Sequence, residues 1–192
     1  MTITQNNQRS EDDAVSEAET GQPVQTGTDT PRSGQEELDM DGIGDFPMLA
    51  ACLAAWKAAR QGDDLPASLD VAELPEAVLD YTMLLDYLPA QRDAAVRMVG
   101  TYIGEKAAFK AHGMTVRAFF EERDAEVVTD SLRRIAESRM PSLARRTFVP
   151  IAGAPMRYVR LILPLSANGQ SVTGFFKTIE PSSLTSETDA PA

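Results

Sequence analysis

The chain has 192 residues with 29 acids against 18 bases, a net charge of −11, one cysteine and one histidine. That length suits one domain of ordinary size with tails. One cysteine excludes an intrachain disulfide, and one histidine is too few for a histidine-rich metal site.

The charge is uneven. Residues 1–44 hold ten acids and two bases, for −8, and residues 181–192 add −2, so residues 45–180 carry only −1 of the total −11. A near-neutral core between acidic tails lacks the clustered Lys and Arg that phosphate backbones require, so no nucleic-acid partner is expected. Residues 1–44 are rich in Gln, Ser, Thr, Asp, Glu and Gly. They are expected to be a disordered acidic tail, because they offer too little apolar surface to offset the entropy of ordering. The start, Met1-Thr-Ile-Thr-Gln-Asn-Asn7, has no apolar leader core, and the apolar run Phe46–Trp56 is shorter than the roughly 20 residues that span a bilayer. A soluble, cytoplasmic protein without membrane insertion is the expectation.

The ordered part opens with a helix predicted over 47–60, where Leu49, Cys52, Leu53 and Trp56 recur at i, i+3, i+4 and i+7. A connecting segment with Pro66 and Pro75 follows, with one short helix near Asp70–Leu74. Strands are predicted over 82–88 and 94–100, joined through Pro89–Asp93. Short helices broken at Gly113 fill 101–120. A firmer helix runs over 124–139, with Asp124 as its N-cap and Val128, Leu132 and Ile135 as its apolar stripe. Three more strands are predicted over 144–151, 157–165 and 170–179. Pro150 suggests an edge position for the first, and Asn168-Gly169 suggests a tight hairpin between the last two. Residues 181–192 read as a second disordered tail. Helix, two strands, helices and three strands predict an α+β domain over 45–180, one five-stranded, mostly antiparallel sheet with helices on one face.

Local sequence agrees with a known family. Trp56 and Arg60 followed by Leu65-Pro66 and Asp70, the run Arg97-Met-Val-Gly-Thr-Tyr-Ile-Gly104, and Arg160-Leu-Ile-Leu-Pro-Leu-Ser-Ala-Asn-Gly169 resemble the opening, the strand-to-helix segment and the closing hairpin of stand-alone bacterial PAS-domain proteins. The resemblance covers about 46–179. The chain departs from the family at Val96, where an aromatic is usual, and at Thr115-Val116, where the family has Thr-Gly. The resemblance implies a sensory or protein-interaction module, with a cavity between sheet and central helices that can hold a small ligand. It implies partner contacts through the outer sheet face and the N-terminal flanking helix 47–60. Protein partners are therefore expected, a second copy of the chain among them.

No catalytic constellation is legible, so no enzymatic activity is expected. His112, in Lys-Ala-His-Gly, lies where histidines commonly meet the last carbonyls of a helix. Cys52 sits on the first helix rather than in the central-helix motif that light-sensing PAS flavin chemistry requires, and reads as a small buried hydrophobe. Asp39-Met-Asp-Gly-Ile-Gly44 fails as a calcium loop because Ala50 stands where a bidentate Glu must be. No metal and no cofactor are expected; a small ligand of unknown identity is what the cavity would take. Arg133, Arg134, Arg139, Arg145 and Arg146 read as a solvated helix face beside an edge strand.

Strand alternation divides the last hairpin. Val159, Leu161, Leu163 and Leu165 share one face, and Tyr158, Arg160 and Ile162 the other. The first face is expected against the helices, as core or cavity lining. Met98, Phe109, His112, Leu161, Leu163 and Phe176 are the candidate pocket residues. The opposite face, with Ile162, Phe175 and Ile179, is expected under Leu49, Leu53 and Trp56 of the same or a second chain, as a candidate partner interface.

Overall fold

The computed structural model describes residues 33–107, 111–148 and 155–186. Strands β1 (Gly34–Leu38), β2 (Thr82–Leu88), β3 (Asp93–Val99), β4 (Ser142–Phe148), β5 (Met156–Leu165) and β6 (Gly174–Ile179) form one antiparallel sheet in the order β1-β4-β5-β6-β2-β3. A two-residue strand, β7 (Thr185–Ser186), pairs with β5 beyond the end of β6. Helices α1 (Pro47–Ala59), α2 (Thr101–Ala107), α3 (Val116–Phe119) and α4 (Glu122–Ser138) complete the domain. The five predicted strands and the two long helices are all present, so the fold is α+β as expected.

The acidic segment is where the structure departs most. Residues 34–38, expected to lie in a disordered tail, form edge strand β1, and Met40–Asp45 form a 3₁₀ turn capped by the Asp39 carboxylate. Gly-Gln-Glu-Glu-Leu has little intrinsic strand preference. It is held by its ladder to β4, with Glu36 opposite Arg145 and Leu38 opposite Leu143. Surface pairs add to it, Arg145 Nη1 to Glu36 Oε2 at 2.8 Å and Arg134 Nη2 to Glu37 Oε1 at 3.5 Å. Exposed pairs of this kind are individually worth about 1 kcal/mol or less, so the ladder contributes more to holding β1 than they do. Glu180–Ser186 likewise continues the fold through a 3₁₀ turn into β7 rather than trailing off.

Smaller corrections have local causes. Asp124 is not the N-cap of α4; that position is Glu121, with no side-chain cap, while Asp124 is buried and turned to the sheet. The Asn168-Gly169 turn is wider than a two-residue hairpin. Asn168 Oδ1 accepts from the N–H groups of Gln170 and Ser171, which folds residues 166–173 into a loop with Gly169 at φ +77° and delays β6 to Gly174. Pro150 lies outside the described residues. β4 takes the edge of the five-stranded core, as expected, but β1 covers it.

One glycine and one proline mark close approaches. Gly100, between β3 and α2, has no room for a side chain, since a Cβ there would sit 2.0 Å from the Leu79 carbonyl oxygen. Pro164 stands in a central strand without costing a ladder bond to β4, because β4 pairs with β5 only as far as Ser142 opposite Ile162. The Pro164 carbonyl, left without a strand partner, accepts from Trp56 Nε1 at 2.8 Å.

Helix α1 is pinned to the sheet toward both of its ends. At its start Glu180 Oε2 accepts from the N–H groups of Met48 and Leu49 at 3.0 and 3.4 Å, satisfying orphan donors with a negative charge at a helix N-terminus. Toward its end Trp56, buried and overlain by the Arg60 guanidinium at 5.1 Å, makes the bond to Pro164. Trp56→Phe keeps an aromatic ring but strands that buried carbonyl. It should lower stability in urea unfolding by about 1–3 kcal/mol while the far-ultraviolet sheet signal persists; an unchanged midpoint would mean that Trp56 does not anchor the helix.

Candidate functional site

The two faces of the sheet differ sharply in chemistry. By register, Val159, Leu161, Leu163 and Leu165 share a face with Phe176 and Thr178 of β6, then with Thr82 and Leu84 of β2 and Met98 of β3. Glu180 belongs to the same face by alternation and holds the start of α1, so this outer face is the one that α1 covers. Leu49, Cys52, Leu53 and Trp56 are all buried in that layer. Burial, reinforced by Glu180, pushes the Cys52 thiol up to about 12, so it stays protonated and apolar in character.

The inner face carries Tyr158, Arg160, Ile162 and Pro164 of β5, Ala144 and Arg146 of β4, and Phe175, Lys177 and Ile179 of β6. Helix α4 lies over it, for Arg146 and Arg160 reach Asp124 and Ser131 of that helix. The predicted faces are therefore exchanged. Leu161, Leu163, Phe176 and Met98, expected to line a pocket under the central helices, lie on the α1 side. Ile162, Phe175 and Ile179, expected under α1, face α4. The apolar face attracts the apolar helix, whereas the helix rich in Asp, Glu and Arg covers the face that bears charge. Leu49, Leu53 and Trp56 are covered within the one chain, so they present no free surface. His112 is exposed in the turn before α3, and Phe109 lies outside the described residues.

Sequence reasoning missed the inner-face charges. Arg146 and Asp124 form an ion pair at 2.8 Å, with side chains only 1% and 5% exposed. Arg146 also lies 5.6 Å from the Phe120 ring centroid, and its Nε and Nη1 have no hydrogen-bond partner among the described residues. Arg160 is better satisfied: Nη2 donates to Gln35 Oε1 at 2.7 Å and Ser131 Oγ at 2.9 Å, and Nη1 to Ser142 Oγ at 3.3 Å. Lys177 is 8% exposed; its ammonium meets the weak acceptor Met83 Sδ at 3.8 Å and the Tyr158 ring, whose centroid is 5.9 Å away.

Burial draws the Arg160 guanidinium down to about 10, partly offset by Glu37. It draws the Lys177 ammonium down to about 7, with Arg146 and Arg160 pushing in the same direction. Six charged side chains are buried among the described residues. Glu180 is engaged by α1, and Asp93 accepts from the N–H of Ala94 at the start of β3. Three cations and the one carboxylate of Asp124 remain on the inner face. The signal that could have revealed this was the spacing Arg146, Tyr158, Arg160, Lys177 on same-face strand positions. Among the five arginines read as solvated, Arg133, Arg134 and Arg145 do make exposed ion pairs. Arg146 instead is core, and Arg139 ends α4 at φ +58° with Nη2 donating to the Asp63 and Gly169 carbonyls.

The Lys177 amine is ordinarily protonated up to 10.5 in the unfolded chain, and in the native state only to about 7. Between these values the unfolded chain binds a proton that the native chain has lost, so this group makes stability rise with pH across that window. Below pH 7 the full cost of its buried charge is present. Cys52, shifted upward from 9.0 to about 12, acts with the opposite sign above pH 9. Comparison with Lys177→Met isolates the lysine: wild type should gain on the variant from about pH 7 to 10, and the variant should be the more stable at pH 6. Parallel profiles in urea unfolding would contradict the placement of Lys177.

The family comparison agrees with this architecture. A family model described as a PAS domain matches residues 45–177. No curated protein matches the chain. Among solved structures, a fungal LOV-domain photoreceptor, reported to reveal a conserved pathway integrating blue-light and oxidative stress, is similar at 19% identity. The match covers 73% of this chain and 96% of that one, with a TM-score of 0.44. Among the described residues no helix is long and apolar enough to cross a membrane, and no group of metal-ligating side chains is assembled. The match over residues 45–177 spans well over half of the sequence, and the chain belongs to the PAS-domain family.

Proposed function

We propose that this protein is a non-catalytic, single-domain PAS sensor that acts through protein–protein interaction and is gated by a small ligand on the inner sheet face. The observation that carries the proposal is the unbalanced polar cluster beneath α4. Buried cations without matched carboxylates are costly to a fold that gains nothing from them. Titratable groups perturbed by burial and by one another, gathered at one place, mark a candidate functional site.

A route outward from the cluster supports the signalling part. Ser33 Oγ donates to Asp124 Oδ2 at 2.7 Å, and Gln35 Oε1 accepts from Arg160. Strand β1 is thus fastened directly to the two cluster residues on which a ligand would act. Redistribution of charge beneath α4 changes the hold on β1. The acidic segment 1–32, rather than the covered α1 face, is the proposed contact for partners. An adaptor with no ligand would use the same segment without the gate.

Native mass spectrometry of the full chain, purified from its own host and compared with the denatured mass, tests the reading. A non-covalent additional mass is expected. A clean ligand-free mass would overturn the sensor reading in favour of the adaptor.

A further inference from the structure

We infer that the inner face, at Arg146, Arg160 and Lys177, binds a small oxyanion, a carboxylate or phosphate group. This rests on the sensor reading above and adds the chemical class of the ligand.

The three cations come from three adjacent strands, β4, β5 and β6, on the face beneath α4, where Arg146 also lies against the Phe120 ring. Around Lys177 the charged and titratable groups are Tyr158 and Arg160 from β5, Arg146 from β4 and Asp124 from α4. Glu37 of β1 stands at the rim, half exposed and paired with Arg134. From β2 the neighbour is Met83, which offers only sulfur. Asp124 matches one cation. The excess has two escapes: Lys177 can shed its proton, or an anion can enter and let it keep the proton. Among the described residues, a guanidinium with two nitrogens unpartnered and an ammonium whose one acceptor is a thioether are donors suited to an oxyanion, which forms the stronger class of charge-assisted bonds. A neutral or cationic ligand would leave the excess unrelieved.

Binding should therefore carry a proton. At pH 8 the native amine is largely neutral, and an anion beside it restores the ammonium. Anion binding then takes up as much as about one proton, and this uptake fades toward pH 6. No proton uptake would accompany an anion adsorbed on the exposed arginines.

The test is calorimetric titration of the full-length protein with inorganic phosphate, acetate and succinate, against chloride at equal ionic strength. Each titration is made at pH 8 in two buffers of different ionisation enthalpy. Saturable binding of phosphate or of a carboxylate with proton uptake is expected, and the stronger of the two identifies the source. Lys177→Met and Lys177→Gln should both weaken it about tenfold or more and abolish the uptake. Arg145→Gln, altering an exposed arginine of the same strand as Arg146, should leave it unchanged. Failure of all three probes to bind beyond chloride, or binding equal in the Lys177 variants, would overturn the inference. Should the host-purified protein meanwhile carry a neutral or cationic adduct, the sensor reading stands and only the anion falls. Should it carry none, the sensor reading falls with it.

Discussion

Among the described residues, three basic side chains buried on one face of a sheet, with one buried carboxylate to meet them, constrain nearly everything else in this domain. The Arg146–Asp124 pair decides where α4 sits, because separating those groups would leave a charge uncompensated in the interior. It also explains why Asp124, which sits like an N-cap in the sequence, turns inward and leaves the helix start without a side-chain cap. Arg160 fixes the next turns of α4 through Ser131 and draws in Gln35, so an acidic segment with poor strand propensity is recruited as β1. Lys177 receives no such partner and is the group left to adjust.

The sheet consequently divides its labour. The outer face is buried and mostly apolar, closed by α1 through the Glu180 contact at one end and the Trp56–Pro164 bond at the other. Its burial is the ordinary source of stability in a domain of this size. The inner face gives up some of that stability to hold charge. A packed apolar layer is indifferent to pH, whereas a buried cluster with a depressed lysine changes with protonation. Ser33 Oγ donates to Asp124 and Arg160 donates to Gln35, so the cluster is tied to β1 and the residue before it.

Much of the fold was legible because its strands alternate and its helices carry apolar stripes. The 82–88 strand, the 47–60 helix and the strand over 157–165 fall where the pattern places them, within a residue or so. The candidate site was not legible for a specific reason. Alternation along β5 separates Val159, Leu161 and Leu163 from Tyr158, Arg160 and Ile162, but it does not say which helix covers which set. The rule that the most apolar face meets the central helices failed, because α1 is itself the most apolar helix and claims that face. Strand β1 was invisible for a related reason: a Gln-Glu-Glu run reads as solvated until the arginines opposite it are known. Arg146 looked like part of a basic surface run, since its neighbours Arg145 and Arg134 are exposed, and only the strand period separates it from them.

The central claim is that Lys177 is a buried ammonium held near its point of neutralisation by burial and by Arg146 and Arg160. Its side-chain titration, followed by NMR through the lysine Cε and Nζ resonances of the full-length protein and assigned with Lys177→Met, tests this most directly. A transition near pH 7, far below the other lysines, is the predicted result. A transition close to 10.5 would contradict it, for Lys177 would then be solvated or paired and the inner face would hold no excess charge.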